Sequence, residues 1–172
     1  MSGIRAAQTG PAASRATPVV LCFLFRETPD GGREVLLGLK KTGFGTGRIV
    51  TLGGHVEPGE TAAQAAVREV FEESGVTVAD ADLEPAGSIE FMFPVRPDWD
   101  MSTTVYRTWN WTGEPGPSAE IAPAWYSVDA VPYGQMWKDS AYWLPKVLAG
   151  DYFAAAVTLA PDNECVGTVV FS

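Results

Sequence analysis

Within residues 68–73, which read REVFEE, three glutamates and an arginine crowd together. At about 100° per residue on a helix, Glu69, Glu72 and Glu73 fall at i, i+3 and i+4 and share one arc, where they repel one another. Arg68, four residues before Glu72, can orient that carboxylate and leave the others free. From Gly53 to Val76 the chain carries five glutamates, one arginine and no lysine, a local charge of −4. A run of charge is most simply a solvated helix face. Here, however, the loop GGHVEPGE precedes it, able to turn tightly and ending in a further acid, Glu60. A divalent cation would relieve the charge, and ligands that are all oxygen suit Mg²⁺ or Mn²⁺ rather than zinc.

The acidic cluster needs a helix with defined ends. Thr61 and Gln64 have capping-box spacing, and Gly75 stands where a left-handed C-terminal cap is wanted. Ala63, Val67, Val70 and Phe71 are expected to form the apolar back of this helix. Around it the chain reads as strands: PVVLCFLFRE and REVLLGLKK joined by a TPDGG turn, then IVTLGG, LEPAGSIEFMF and TTVYRTWNW. The stretches TGEPGPSAEIAP and WYSVDAVP read as loop and turn. KDSAYWLPKVLAG reads as a second helix begun by Asp139 or Ser140 and closed by Gly150. YFAAAVTLA and ECVGTVVF flank a PDN turn as a terminal hairpin. This order predicts an α+β fold in which a mixed sheet is covered by helices.

The chain has 172 residues, 46% of them hydrophobic, enough for one domain with a sizeable core. Residues 1–17, rich in alanine, proline, serine and threonine, read as a disordered tail, leaving one domain over residues 18–172. A net charge of −9 argues against a nucleic-acid polymer as partner. No apolar run approaches the roughly 18 residues of a membrane span. A cytoplasmic protein without membrane contact is therefore expected. Cys22 and Cys165 read as ordinary strand thiols. His55, the only histidine, lies beside the acidic loop and is expected to face solvent or to support that loop.

Gly54, Glu60, Arg68, Glu69, Val70, Glu72, Glu73, Gly75 and Val76, with gaps of five, seven, one and one residues, match the Nudix box at every defined position. Seven fixed residues, each at roughly 5–7% ordinary frequency, meet this spacing by chance about once in a million such chains. The chain thus resembles the Nudix hydrolases, whose fold is a mixed sheet between helices and whose box glutamates hold metals that act on a diphosphate linkage. LLGLKKTGFGTGR and MWKDSAYWLP further resemble the 8-oxo-dGTP diphosphatases of that family.

That resemblance implies Mg²⁺-dependent hydrolysis of a nucleoside triphosphate, most simply an oxidised purine nucleotide such as 8-oxo-dGTP, to the monophosphate and pyrophosphate. It implies metal ligation by Glu69, Glu72, Glu73, Glu120 and the Gly53 carbonyl, with Glu69 or Glu120 as general base. Arg68 and Glu60 would support this constellation. Lys40 would approach the phosphates, Phe44 and Phe91 would line the nucleoside pocket, Trp137 would stack on the base, and Asp139 would read its edge. The chain departs from the subgroup at Ile49 in place of tryptophan, Val50 in place of asparagine and Ser140 in place of a second aspartate, which bears on base preference. Hydrolysis of another nucleoside diphosphate derivative such as ADP-ribose, or a non-catalytic ligand-binding module, are the competing readings. The partner is a small nucleotide, and the protein a monomer or homodimer.

Overall fold

A computed structural model describes residues 16–172 of the chain. Its organising element is β1 (Thr17–Glu27), a run of β-branched and aromatic residues buried on both faces. Along one edge β1 pairs in parallel with β6 (Met101–Thr108). Its other edge is divided: β4 (Leu52–His55) pairs with residues 19–22 and β2 (Arg33–Lys40) with residues 25–27, both antiparallel. Beyond β6 the sheet continues through β5 (Glu84–Met92), β8 (Phe153–Leu159) and β9 (Val166–Phe171). On the other side β3 (Ile49–Val50) and β7 (Ile121–Ser127) flank β2.

Strand period then assigns each helix a face. Val20, Cys22 and Leu24 of β1 pack with Ala65, Ala66 and Val70 of α1 (Ala62–Ser74). Phe23 and Phe25 belong to the opposite core, with Trp143, Leu144 and Val147 of α2 (Ser140–Ala149). The result is the expected α+β arrangement, a mixed sheet between helices. Arg107 of β6 fastens the second helix. Nearly buried, it donates to the Val147, Gly150 and Asp151 carbonyls at 2.8, 2.9 and 3.1 Å, where α2 ends.

The ends of α1 fall where its capping residues place them, and α2 is closed by Gly150 but begins without a side-chain cap from Asp139. Thr61 Oγ1 accepts from the Gln64 N–H at 3.1 Å, Gln64 Oε1 accepts from the Thr61 N–H at 2.9 Å, and Gly75 closes α1 at φ 77°. The buried face of α1 differs from expectation. Ala65, Ala66, Val70, Glu73 and Ser74 are buried, whereas Phe71 is 57% exposed. Small alanines carry the packing because the helix lies close to the sheet, and the acidic edge turns partly inward. The segment IVTLGG divides into β3 and β4, which pair with different strands. β7 runs through residues expected as loop and turn; its Pro123 is tolerated because β7 is an edge strand paired with β2 alone. Cys22 is a buried strand thiol, pushed up to about 12 by burial. Cys165 precedes β9 and accepts from Lys138 Nζ at 3.2 Å.

Residues 1–15 of the expected tail lie outside the described residues, and Thr17 already opens β1, its N–H bonded to the Asp100 carbonyl at 2.8 Å. Among the described residues no helix is long and apolar enough to cross a membrane.

Candidate active site

Two glycines of β4 allow α1 to approach the sheet. A Cβ on Gly54 would stand 2.5 Å from the Glu69 carboxyl carbon, and one on Gly53 would stand 2.0 Å from the Val20 carbonyl oxygen of β1. The acidic edge of the helix therefore rests against bare backbone. Glu73, only 2% exposed, accepts the Gly53 N–H through Oε1 at 2.7 Å. Burial pushes its carboxyl up to about 8, against the pull of that N–H, and the nearby Glu69 and Glu120 charges add to the rise while Lys40 opposes it. Glu69 is raised too, mainly by burial, despite its contact with Arg68. Glu72 and Glu120 contribute to that shift, so the four acids share one electrostatic neighbourhood.

Arg68 makes the expected i to i+4 contact with Glu72 but holds other acids more closely. Its Nε and Nη2 grip Glu60 at 2.7 and 3.0 Å, a bidentate pair across the loop, and hold that carboxyl below the usual range. Nη1 reaches Glu69 at 2.9 Å and Glu72 at 3.3 Å, and Nη2 also donates to the His55 carbonyl at 3.0 Å. Glu60 takes precedence because it is the more enclosed partner, whereas the Glu72 side chain is mostly in solvent.

Glu73, Gly53 and Gly54 line a cavity of about 260 Å³ whose walls also include Lys40, Phe44, Phe91, Trp137 and Asp139. The structure thus brings together every residue expected to meet substrate. Glu69, Glu72 and Glu120 are not in the wall. Glu69 lies behind Gly54, and Glu120 is exposed, with its carbonyl taking the Lys41 N–H at 2.7 Å. Trp137 stacks on Phe44 at 5.0 Å and 19°, and the Arg48 guanidinium lies 4.1 Å from its ring centre. Gly45, at φ 87°, lets the loop pass this close: a Cβ there would stand 3.2 Å from Trp137. Asp139, buried just ahead of α2, accepts from Trp143 Nε1 at 2.8 Å, and burial raises its carboxyl against that bond. Ile49, Val50 and Ser140 also face the cavity.

Sequence reasoning left out Arg48, which covers Trp137, and the cavity-lining Trp143 and Asn163, whereas His55 is exposed and its carbonyl holds Arg68, as expected of it, while it also borders the cavity. Arg48 ends the Gly-rich connection before β3 and Trp143 lies in α2, and neither carried a signal beyond those settings. Asn163 was visible only as part of a PDN turn.

Among the described residues no three acidic, histidine or cysteine side chains already converge as a metal cage; Arg68 instead spans Glu60, Glu69 and Glu72. The donor set still fits Mg²⁺. It is all oxygen, and Mg²⁺ is commonly held by one or two carboxylates together with substrate phosphates and water. Buried Glu73, raised by desolvation and by the Glu69 and Glu120 charges and lowered by Lys40, is a place where added positive charge is favourable.

Residues 15–147 match the NUDIX domain model. The chain is 45% identical over 115 residues to the oxidized purine nucleoside triphosphate hydrolase of Danio rerio, covering 67% of this chain and 72% of that one. It is 40% identical over 116 residues to the Mus musculus protein of the same description, with the same coverage. Among solved structures, a MutT protein from Bacillus halodurans superposes with a TM-score of 0.76 at 22% identity, over 91% of this chain and 97% of that one, a likeness of fold. With the box intact from Gly54 to Val76, the sheet between helices in place and the domain model matched over most of the chain, the chain belongs to the Nudix hydrolase family.

Proposed function

We propose that this protein hydrolyses oxidised purine nucleoside triphosphates such as 8-oxo-dGTP, with Mg²⁺, to the monophosphate and pyrophosphate. The observation that carries this reading is a single cavity lined both by Glu73 and the Gly53–Gly54 backbone and by Phe44, Trp137 and Asp139. Acid and aromatic chemistry are thereby within reach of one nucleotide. The two relatives described as oxidized purine nucleoside triphosphate hydrolases support the same substrate class.

Glu69, Glu72, Glu73, Glu120 and the Gly53 carbonyl would hold Mg²⁺, which when bound supplies neutralisation of phosphate charge and a more acidic water. Of Glu69 and Glu120, Glu69 would serve as general base. Arg68 holds its Oε1, and burial raises its affinity for the proton that the attacking water gives up. Lys40 meets the phosphates from the cavity wall. Trp137 would stack on the base in place of Phe44, which now covers one side of its ring, and Asp139 would offer a carboxyl oxygen to the base edge. Arg68, bound to Glu60 and the His55 carbonyl, positions the acids rather than touching substrate.

A panel of 8-oxo-dGTP, dGTP, dATP and ADP-ribose with Mg²⁺, followed by chromatography of the products, tests the proposal. We expect pyrophosphate and 8-oxo-dGMP, with the highest kcat/KM for the oxidised nucleotide. Faster cleavage of ADP-ribose would move the substrate class. Nucleotide binding without any turnover would leave a binding module.

A further inference from the structure

Two buried side-chain polar atoms among the described residues take no hydrogen bond, Thr103 Oγ1 and Asn163 Oδ1. Thr103 lies within β6, between β1 and β5, and does not line the cavity; Asn163 does. Folded chains pair nearly all such atoms, because an acceptor removed from water and left unmet is costly. Asn163 Oδ1 is itself closed off from water as the side chain stands, and a turn of the carboxamide about its last torsion brings this acceptor to the cavity, where a ligand N–H relieves it.

The loop holds Asn163 firmly. At φ 58° it is the one non-glycine residue with positive φ among the described residues, a conformation that asparagine tolerates better than most. Its N–H donates to the Ala160 carbonyl at 2.9 Å, and the Ala160 N–H donates to the Cys165 carbonyl at 2.8 Å. Asp162 Oδ1 accepts the N–H groups of Glu164 and Cys165 at 2.9 and 2.8 Å. Glu164 in turn pairs with Arg48 at 2.7 Å, the same arginine that lies over Trp137. The turn between β8 and β9 is thus tied to the aromatic wall of the cavity, and it delivers a carboxamide there. Much of the remaining wall cannot hydrogen-bond through its side chains, Ile49, Val50 and Met101 among them, and Asp139 already spends one oxygen on Trp143.

We propose that Asn163 is a specificity-determining residue for the nucleobase: its Oδ1 accepts an N–H from the edge of the base seated in the cavity, alongside Asp139. The inference rests on the reading of this cavity as a nucleotide site. It assigns to the C-terminal hairpin a part of base selection that the box and the helices do not supply.

The test compares wild type, Asn163→Gly and Asn163→Asp. Glycine keeps the left-handed backbone and removes the carboxamide, while aspartate keeps both an acceptor and tolerance of that backbone. The substrates are 8-oxo-dGTP and the deoxynucleoside triphosphate of unsubstituted purine, which has no N–H on its base. Asn163→Gly should lower kcat/KM for 8-oxo-dGTP about tenfold, as loss of one buried hydrogen bond implies, and leave unsubstituted purine within about twofold. Calorimetry with 8-oxo-dGMP in the absence of metal should show the same ratio in Kd, with Asn163→Asp close to wild type. Equal losses on both nucleotides, no loss on either, or an aspartate variant as impaired as glycine would each overturn the assignment. If wild type hydrolyses neither nucleotide yet binds 8-oxo-dGMP with the glycine-specific loss, the hydrolase reading fails and the Asn163 contact stands.

Discussion

Glu73 combines near-complete burial, one backbone N–H and acidic neighbours, a setting that makes ionisation costly until a cation arrives. Glu73→Gln should retain the fold, checked by circular dichroism, and lose about a hundredfold or more in kcat, since the site loses a carboxylate acting on transition-state charge. The pH dependence has a definite sign. An acid raised from 4.5 to about 8 binds more protons folded than unfolded across that window. The metal-free protein therefore loses stability as pH rises from about 4.5 to 8 and loses no further stability from this group above it. Thermal melts of metal-free protein should show this slope, and Glu73→Gln should flatten it; an unchanged slope would place the shifted proton elsewhere. The box residues were legible because metal and phosphate chemistry restrict residue type and spacing together. Asn163 was not, because its local role as a turn residue fully accounts for an asparagine in PDN, and its burial depends on strands far away in sequence.

The glycine pair of β4 separates two effects that a substitution elsewhere would mix. On Gly53 a Cβ meets a backbone carbonyl, which cannot swing aside, so Gly53→Ala should open the β1–β4 pairing and cost more than about 2 kcal/mol in a denaturant titration. On Gly54 the Cβ meets the far end of the Glu69 side chain, which can move. Gly54→Ala should therefore melt close to wild type while its apparent Mg²⁺ affinity falls roughly tenfold or more. If the two variants lost stability equally, Glu69 would not be the group that gives way. Element existence was largely readable: the caps of α1, the β1–β2 and β8–β9 hairpins and α2 all follow from local chemistry. The face that α1 buries was misread because hydrophobicity favours Phe71, whereas close approach to β4 favours Ala65 and Ala66. β7 was missed because Pro123 and neighbouring turn residues hide an edge strand that its pairing with β2 specifies.

For the molecule as a whole, Arg107 links the sheet to the end of the helix that follows Asp139. Replacing it with methionine leaves three carbonyls at the α2 terminus without their guanidinium and should cost about 3 kcal/mol or more, read as a shift of the urea midpoint. The same variant should raise KM for nucleotide more than it lowers kcat, because Ser140 and Trp143 of α2 line the part of the cavity proposed to take the base while α1 remains seated. A fall in kcat alone would contradict that division. The parallel pairings of β1 with β6 and of β5 with β8 join distant segments and leave no local trace in the sequence. Yet β1 settles the division of labour: its even positions carry the acid helix, whereas odd ones, Val19 and Leu21, line the cavity. Heritable change is thereby sorted by which side of one strand it strikes. On the reading proposed above, a lineage would exchange the letters of its preferred base through Val50, Ser140 or the final hairpin and keep the acid helix as it inherited it.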